Sequence, residues 1–205
     1  MNAPAQPVFY SSMLQGGFSL ITTLILLVVV SMLGITASQM VLMSERTSRF
    51  DRDAQIAFQA AEAALVDAEL DIQGPIPEPD NFGKQRIASF ESKNRVNFTL
   101  GCGTGRLQGM CAQAFPPQKP VWYQVDFTDE SANSKTVKFG EFTGRTFAVG
   151  ATGIRPEIAP RYIVEVIPDS TPAAMPDAVL YRITAMGFGP RKETQVVLQV
   201  VFRKA

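Results

Sequence analysis

From Phe18 to Met43 the sequence FSLITTLILLVVVSMLGITASQMVLM holds no charged side chain, and none precedes Glu45. As a helix rising about 1.5 Å per residue, this run exceeds the ~30 Å hydrocarbon core of a bilayer and reads as a membrane-spanning segment with room to tilt. The pattern then changes: Phe50, Ala54, Ala57, Phe58, Ala61, Leu65 and Ala68 recur every three or four residues, with Arg52, Gln55, Gln59, Glu62, Asp67 and Glu69 between them. That spacing predicts an amphipathic helix. Gly34 is the only glycine and proline is absent between Phe18 and Asp71. One uninterrupted helix is therefore expected, ending at Gly74-Pro75.

The prolines at 75, 77 and 79 predict a stiff, extended link. Beyond it, four segments alternate as half-buried strands do: Val121, Tyr123, Val125 and Phe127; Tyr162, Val164 and Val166; Val179, Tyr181 and Ile183; and Val196, Leu198, Val200 and Phe202. Arg95–Leu100 and Thr136–Phe142 are weaker strand candidates, and 143–160 and 168–178 read as loops from their Gly and Pro content. The turn Gly187-Phe188-Gly189-Pro190-Arg191 between the last two runs predicts a hairpin. A helix with one apolar stripe and an antiparallel sheet with one apolar face each need a cover, and each supplies it to the other. The expectation is an α+β fold: a spanning segment over 18–43, its amphipathic continuation over 44–73, a link over 74–94 and a sheet domain over 95–205.

Lys plus Arg and Asp plus Glu both number 19, so no net field recruits nucleic acid or an anionic surface non-specifically. The chain has no histidine, which removes the commonest general base and the commonest zinc ligand and argues against an enzyme. No catalytic, metal or cofactor-binding residues are assigned. The two cysteines, Cys102 and Cys111, sit in the Gly-rich segment GCGTGRLQGMC, as expected for a small disulfide loop in an oxidising compartment. Two free thiols, or a metal site with ligands from elsewhere, are the alternatives. The flanks of the spanning segment do not settle its orientation, since no basic residue precedes it and both signs follow it. A cleaved signal peptide is disfavoured by the length of the run, although Thr36-Ala37-Ser38 imitates a cleavage site.

A short leader ending in Gly-Gly, then Phe-Ser-Leu-Ile, a long apolar run, an amphipathic continuation and a distal sheet with a disulfide resemble the type IV pilin family. The wording of FSLITTLILLVVVSMLG, FQAAEAALVDAEL, YRITAMGFG and VVLQVVFRK is similar to minor pilins of the PilX type. The resemblance implies a pilin-like fold and removal of the leader, residues 1–17, by a prepilin peptidase. That enzyme would cut between Gly17 and Phe18 and methylate the new amino group of Phe18. It further implies a chain held in the inner membrane with a periplasmic domain, later drawn into an extracellular pilus by the assembly platform. Other minor pilins, the major pilin and a tip adhesin would be its partners.

Two features depart from the family pattern. The leader has no lysine or arginine, and the fifth residue from Phe18, glutamate in most pilins, is Thr22. In the family that glutamate is thought to pair with the N-terminal ammonium in the apolar filament core, where an unpaired charge costs several kcal/mol. Members lacking it resemble subunits at the filament tip, as in the corresponding pseudopilin of type II secretion. The expectation is that Thr22 bonds back to a helix carbonyl and that the subunit helps prime assembly. A type II secretion pseudopilin and a membrane-anchored extracytoplasmic binding protein or enzyme are the alternatives. Phe18, Thr22 and Glu62 are the expected assembly residues, Glu62 from the polar face of the helix.

Further clusters read as ordinary surface. Asp126, Asp129 and Glu130 lack the spacing of a compact calcium loop. Lys135, Lys138, Arg145, Arg155 and Arg161, interleaved with Trp122, Phe139, Phe142 and Phe147, would suit DNA only as a continuous face, and equal acid nearby weighs against it.

Overall fold

The computed structural model describes residues 18–74, 86–150, 154–168 and 179–204. The leader with Gly17, the proline-rich link over 75–85 and the loop over 169–178 lie outside them. The chain divides into two compact units, Met1–Ser48 and Arg49–Ala205.

Helix α1 runs Phe18–Gln73. It ends where Gly74 takes φ 73° and donates its N–H to the Leu70 carbonyl at 2.7 Å, a left-handed glycine cap. In the first unit α1 is apolar and exposed, and it is long and apolar enough to cross a membrane. Several of its hydroxyls bond within the helix: Ser31, Ser38 and Thr47 donate to carbonyls four residues back.

In the second unit, residues 49–73 of α1 cover one face of a mixed sheet. Strand β1 is Met110–Ala112, β2 Val137–Lys138, β3 Arg161–Ile167, β4 Val179–Phe188 and β5 Gln195–Lys204. The order is β1-β3-β4-β5, with β2 also pairing β3. The hairpin β4–β5 is unbroken from Val179↔Lys204 to Phe188↔Gln195, as its alternation predicts. The sheet is not wholly antiparallel, because β1 runs parallel to β3.

Helix and sheet meet through small residues. Ala57, Ala60, Ala61, Ala64 and Ala68 are fully buried, and a Cβ added to Gly187 would lie 2.0 Å from the Ala57 carbonyl oxygen. The core between them joins Ala64, Ala68 and Ile72 to Tyr162, Val164, Tyr181, Ile183 and Ala185. The opposite sheet face is covered by the segment around the disulfide, with Cys111, Val121, Phe127, Ile163 and Phe188 packed together. Strand β3 is consequently buried on both faces, and Arg161 and Glu165 are buried with it.

Three expected strands are corrected. Residues 121–127 do not form one: Val121–Tyr123 is a single 3-10 turn entered from Pro120, and Tyr123 is exposed. Asp126 holds the Thr128 N–H at 2.7 Å and Asp129 the Ser131 N–H at 2.9 Å, so local side-chain bonds replace a ladder there. The candidate over 95–100 is a 3-10 helix, Ser92–Asn97, followed by one bridge at Thr99. The candidate over 136–142 shrinks to β2, because Gly140 turns at φ 79° and Asp67 of α1 takes its N–H at 2.7 Å.

Candidate assembly surface

The outer segment of α1 buries one sector and exposes the other. At 100° per residue the buried set, Asp53, Ala57, Ala60, Ala61, Ala64, Asp67, Ala68, Asp71 and Ile72, faces the sheet and its loops. On the far side, Phe58, Glu62 and Val66 follow one another at i, i+4 and i+8, with Phe58 43 % and Val66 48 % exposed. Two half-exposed apolar side chains thus flank a carboxylate on this face of the helix. Phe50 is exposed as well. The sequence pattern places Phe50 and Phe58 with the core; that is corrected, because Phe50 lies at the start of the unit and Phe58 at the open margin beside β5.

Three acids of the same helix segment are buried and work inside the unit. Asp71 bonds Arg86 and Tyr162. Asp67 accepts from the Gly140 N–H and the Thr143 hydroxyl, with Arg145 3.6 Å away. Asp53 meets Arg52 and, at 3.6 Å, Arg191 from the β4–β5 turn. Burial raises the Asp67 carboxyl above its ordinary range, and these partners offset part of that. Reading Asp67 as part of the solvated face is therefore corrected.

The other expected site residues separate. Phe18 begins α1. Thr22 donates its hydroxyl to the Ser19 carbonyl at 2.9 Å, the expected bond back along the helix. Glu62 is exposed. Cys102 and Cys111 form a disulfide, closing a loop that packs under the sheet.

The basic and aromatic residues do not assemble into one face. Arg161 is buried and donates to Thr136 Oγ1 at 2.7 Å and Ser134 Oγ at 2.9 Å, and Phe139 and Phe142 are core. Arg145 lies over Phe139 at 4.9 Å, beside a hollow of about 350 Å³ that Lys138 and Phe147 also line. Arg182 stacks 4.6 Å from Trp122 while its Nε and Nη2 donate to the two carboxylate oxygens of Glu165 at 2.9 Å. Among the described residues, no group of three or more acidic, Cys or His side chains is placed to hold a metal.

Two family models match the chain. Type IV pilus assembly protein PilX C-term covers residues 91–204, and PilX N-terminal covers residues 16–66. No curated protein and no solved structure matches it.

Proposed function

The chain belongs to the PilX family of type IV pilus assembly proteins, and we propose that within that assembly it acts as a minor pilin that primes the filament and stays at or near its tip. The family is one of pilus assembly rather than catalysis, and the apolar helix suits a membrane-anchored subunit. The observation that carries the finer reading is Thr22. Five residues into the helix that would begin the mature chain, it is neutral and its hydroxyl is bonded to Ser19 within the same helix. A subunit without a carboxylate at that depth leaves a neighbour's N-terminal ammonium unpaired, a penalty of several kcal/mol in an apolar filament core. It is disfavoured in the shaft and tolerated at an end with no neighbour to pair.

On this reading Gly17-Phe18 is the processing site, and the membrane helix becomes the filament stem. The exposed row Phe58, Glu62 and Val66 then meets the next minor pilin, the major pilin or a tip adhesin. The test is deletion, followed by complementation with the parent or with Thr22→Glu, counting surface pili and measuring twitching. Deletion is expected to abolish or strongly reduce pili, and Thr22→Glu to restore them less well than the parent. Unchanged pili on deletion would sink the assembly role, and full restoration by Thr22→Glu would sink the role given to Thr22.

A further inference from the structure

The face of α1 turned away from the sheet carries a narrow line of side chains. Asp51, Gln55, Phe58, Glu62, Val66 and Glu69 follow one another at steps of four or three residues. At 100° per residue they stay within a sector of about 80° for about 27 Å of helix. The first five are exposed and Glu69 is half-buried. Among the described residues no cation lies within salt-bridge reach of Asp51, Glu62 or Glu69, whereas Asp53, Asp67 and Asp71 on the buried side each have one. From Ala54 to Gly74 the chain contains no Lys or Arg. Beside Phe58 the line opens into a hollow of about 390 Å³ that Asp51, Ala54, Gln55 and Val196 also line.

A helix offers such a contact side chains only, since its N–H and C=O groups are bonded within it, so an occupant has to interdigitate with the line. Steps of three and four in so narrow a sector are the spacing of a seam between two helices. The acids stand within that seam, beside Phe58 and Val66, and not at its rim. Closing over them without a countercharge would strand carboxylates away from water, a cost that two half-exposed apolar side chains do not offset. The occupant therefore brings the cations. A second copy of this chain does not fit that requirement. Its helix presents the same acids, and of its three arginines Arg52 is bonded to Asp53 and Arg49 has a partner of its own, which leaves Arg46 to face three carboxylates.

We propose that this line seats a helix of a different pilus subunit, one that carries Lys or Arg spaced to meet Glu62 and Glu69 and apolar residues between them against Phe58 and Val66. The cations select the partner, and the apolar pair with its hollow supplies the packing. The same acids reject a second copy of this chain as the neighbour on this face.

This inference rests on the assembly reading, and the test separates the two. The full-length chain in detergent is purified alone and co-expressed with the other pilus subunits, and the affinity of the complex is measured at low and at high salt. Glu62→Lys with Glu69→Lys keeps helix propensity and breaks no ion pair among the described residues. It is expected to leave the isolated chain's circular dichroism and melting unaltered and to weaken the complex about tenfold or more. Glu62→Gln with Glu69→Gln is expected to weaken it less and to flatten its salt dependence. A complex as tight with the charge-reversed chain as with the parent, or one indifferent to salt, overturns this proposal alone. Self-association of the isolated parent that the same reversal abolishes overturns it in favour of a second copy. Absence of any complex between the parent and the co-expressed subunits overturns it together with the assembly reading.

Discussion

Arg86 and Asp71 form an ion pair with no solvent exposure on either side chain, Nη2 to Oδ2 2.9 Å and Nε to Oδ1 3.0 Å. Asp71 sits in the last turn of α1 and Arg86 opens the segment beyond the link, so the pair ties the helix end to the sheet domain. Both side chains have further partners. The Tyr162 hydroxyl donates to Asp71 at 3.0 Å, Arg86 reaches the Arg106 carbonyl, and the guanidinium lies 3.7 Å over Phe142. Burial first, and then Asp71, keep the Tyr162 phenol protonated far above its ordinary range. Arg86→Met strands a buried carboxylate and is expected to lower stability by about 3–5 kcal/mol. Adding Asp71→Leu to Arg86→Met is expected to recover part of that, measured by urea unfolding. A double variant no more stable than Arg86→Met would show that the packing around Arg86, not the unpaired charge, dominates.

Gly187 is where the helix comes closest to the sheet. Its added Cβ would meet backbone of α1, 2.0 Å from Ala57 O and 2.3 Å from Ala61 N, so no rotamer change relieves it. Gly187→Ala is expected to destabilise by about 1–3 kcal/mol or more through overpacking. Shaving the facing side chain with Ala57→Gly is expected not to rescue it, since the obstacle is main chain. Rescue in thermal melts would show that the helix is free to shift at this contact.

Local patterns carried the helix and the β4–β5 hairpin, because the alanine repeat, the Gly74 stop and the turn glycines act within a few residues of where they stand. Asp53, Asp67 and Asp71 look like a polar face in sequence because charges on a helix usually face water. Their partners Arg191, Gly140, Thr143 and Arg86 lie far along the chain, and nothing local announces them. Arg161 and Glu165 alternate as outward residues should, yet a second layer buries both. The alternation over 121–127 misled for the opposite reason: Val121 and Phe127 are core, but they reach it from turns. Within the proposed assembly surface, Thr22 and Glu62 stand out in the sequence by position alone. Exposure of Phe58 does not, since periodicity does not tell where the covering sheet ends.

Acid stability should carry the mark of Asp67. Burial raises its folded-state carboxyl above the unfolded value, so the folded chain binds this proton more readily. Its contribution is present at or below the ordinary carboxylate range of about 4 and is lost as pH rises through the raised value. Asp67→Asn, a fixed mimic of the protonated form, lacks that slope. Its stability deficit relative to the parent is expected to shrink as pH rises from about 4, then level off. A deficit that widens over the same interval in denaturant titrations would reverse the sign assigned here.

Removing the Cys102–Cys111 bridge tests how far the outer sheet layer depends on it. The two cysteines are nine residues apart and pack against Val121, Phe127 and Ile163. Replacing both by alanine is expected to lower stability by about 2–3 kcal/mol, the value for closing so short a loop. The α1–sheet core, on the other face, is expected to keep its exchange protection. If residues 57–68 lose protection in step with 110–128, the two layers unfold as one unit and the bridge supports both.

The exposed row of α1 separates folding from assembly. Phe58 and Val66 are nearly half open to solvent, so Phe58→Ala and Val66→Ala are each expected to change stability by less than about 1 kcal/mol. Ala61→Leu, one position round the helix in the fully buried sector, is expected to cost about 1–3 kcal/mol by overpacking. Pilus counts should follow the reverse order if Phe58, Glu62 and Val66 contact another subunit. Phe58→Ala with Val66→Ala would then lose most surface pili at normal protein levels, with Glu62→Lys lowering them further by placing the wrong charge at the contact. The loss would come from a surface that folding does not need. Normal piliation in the double variant would remove this row from the assembly interface.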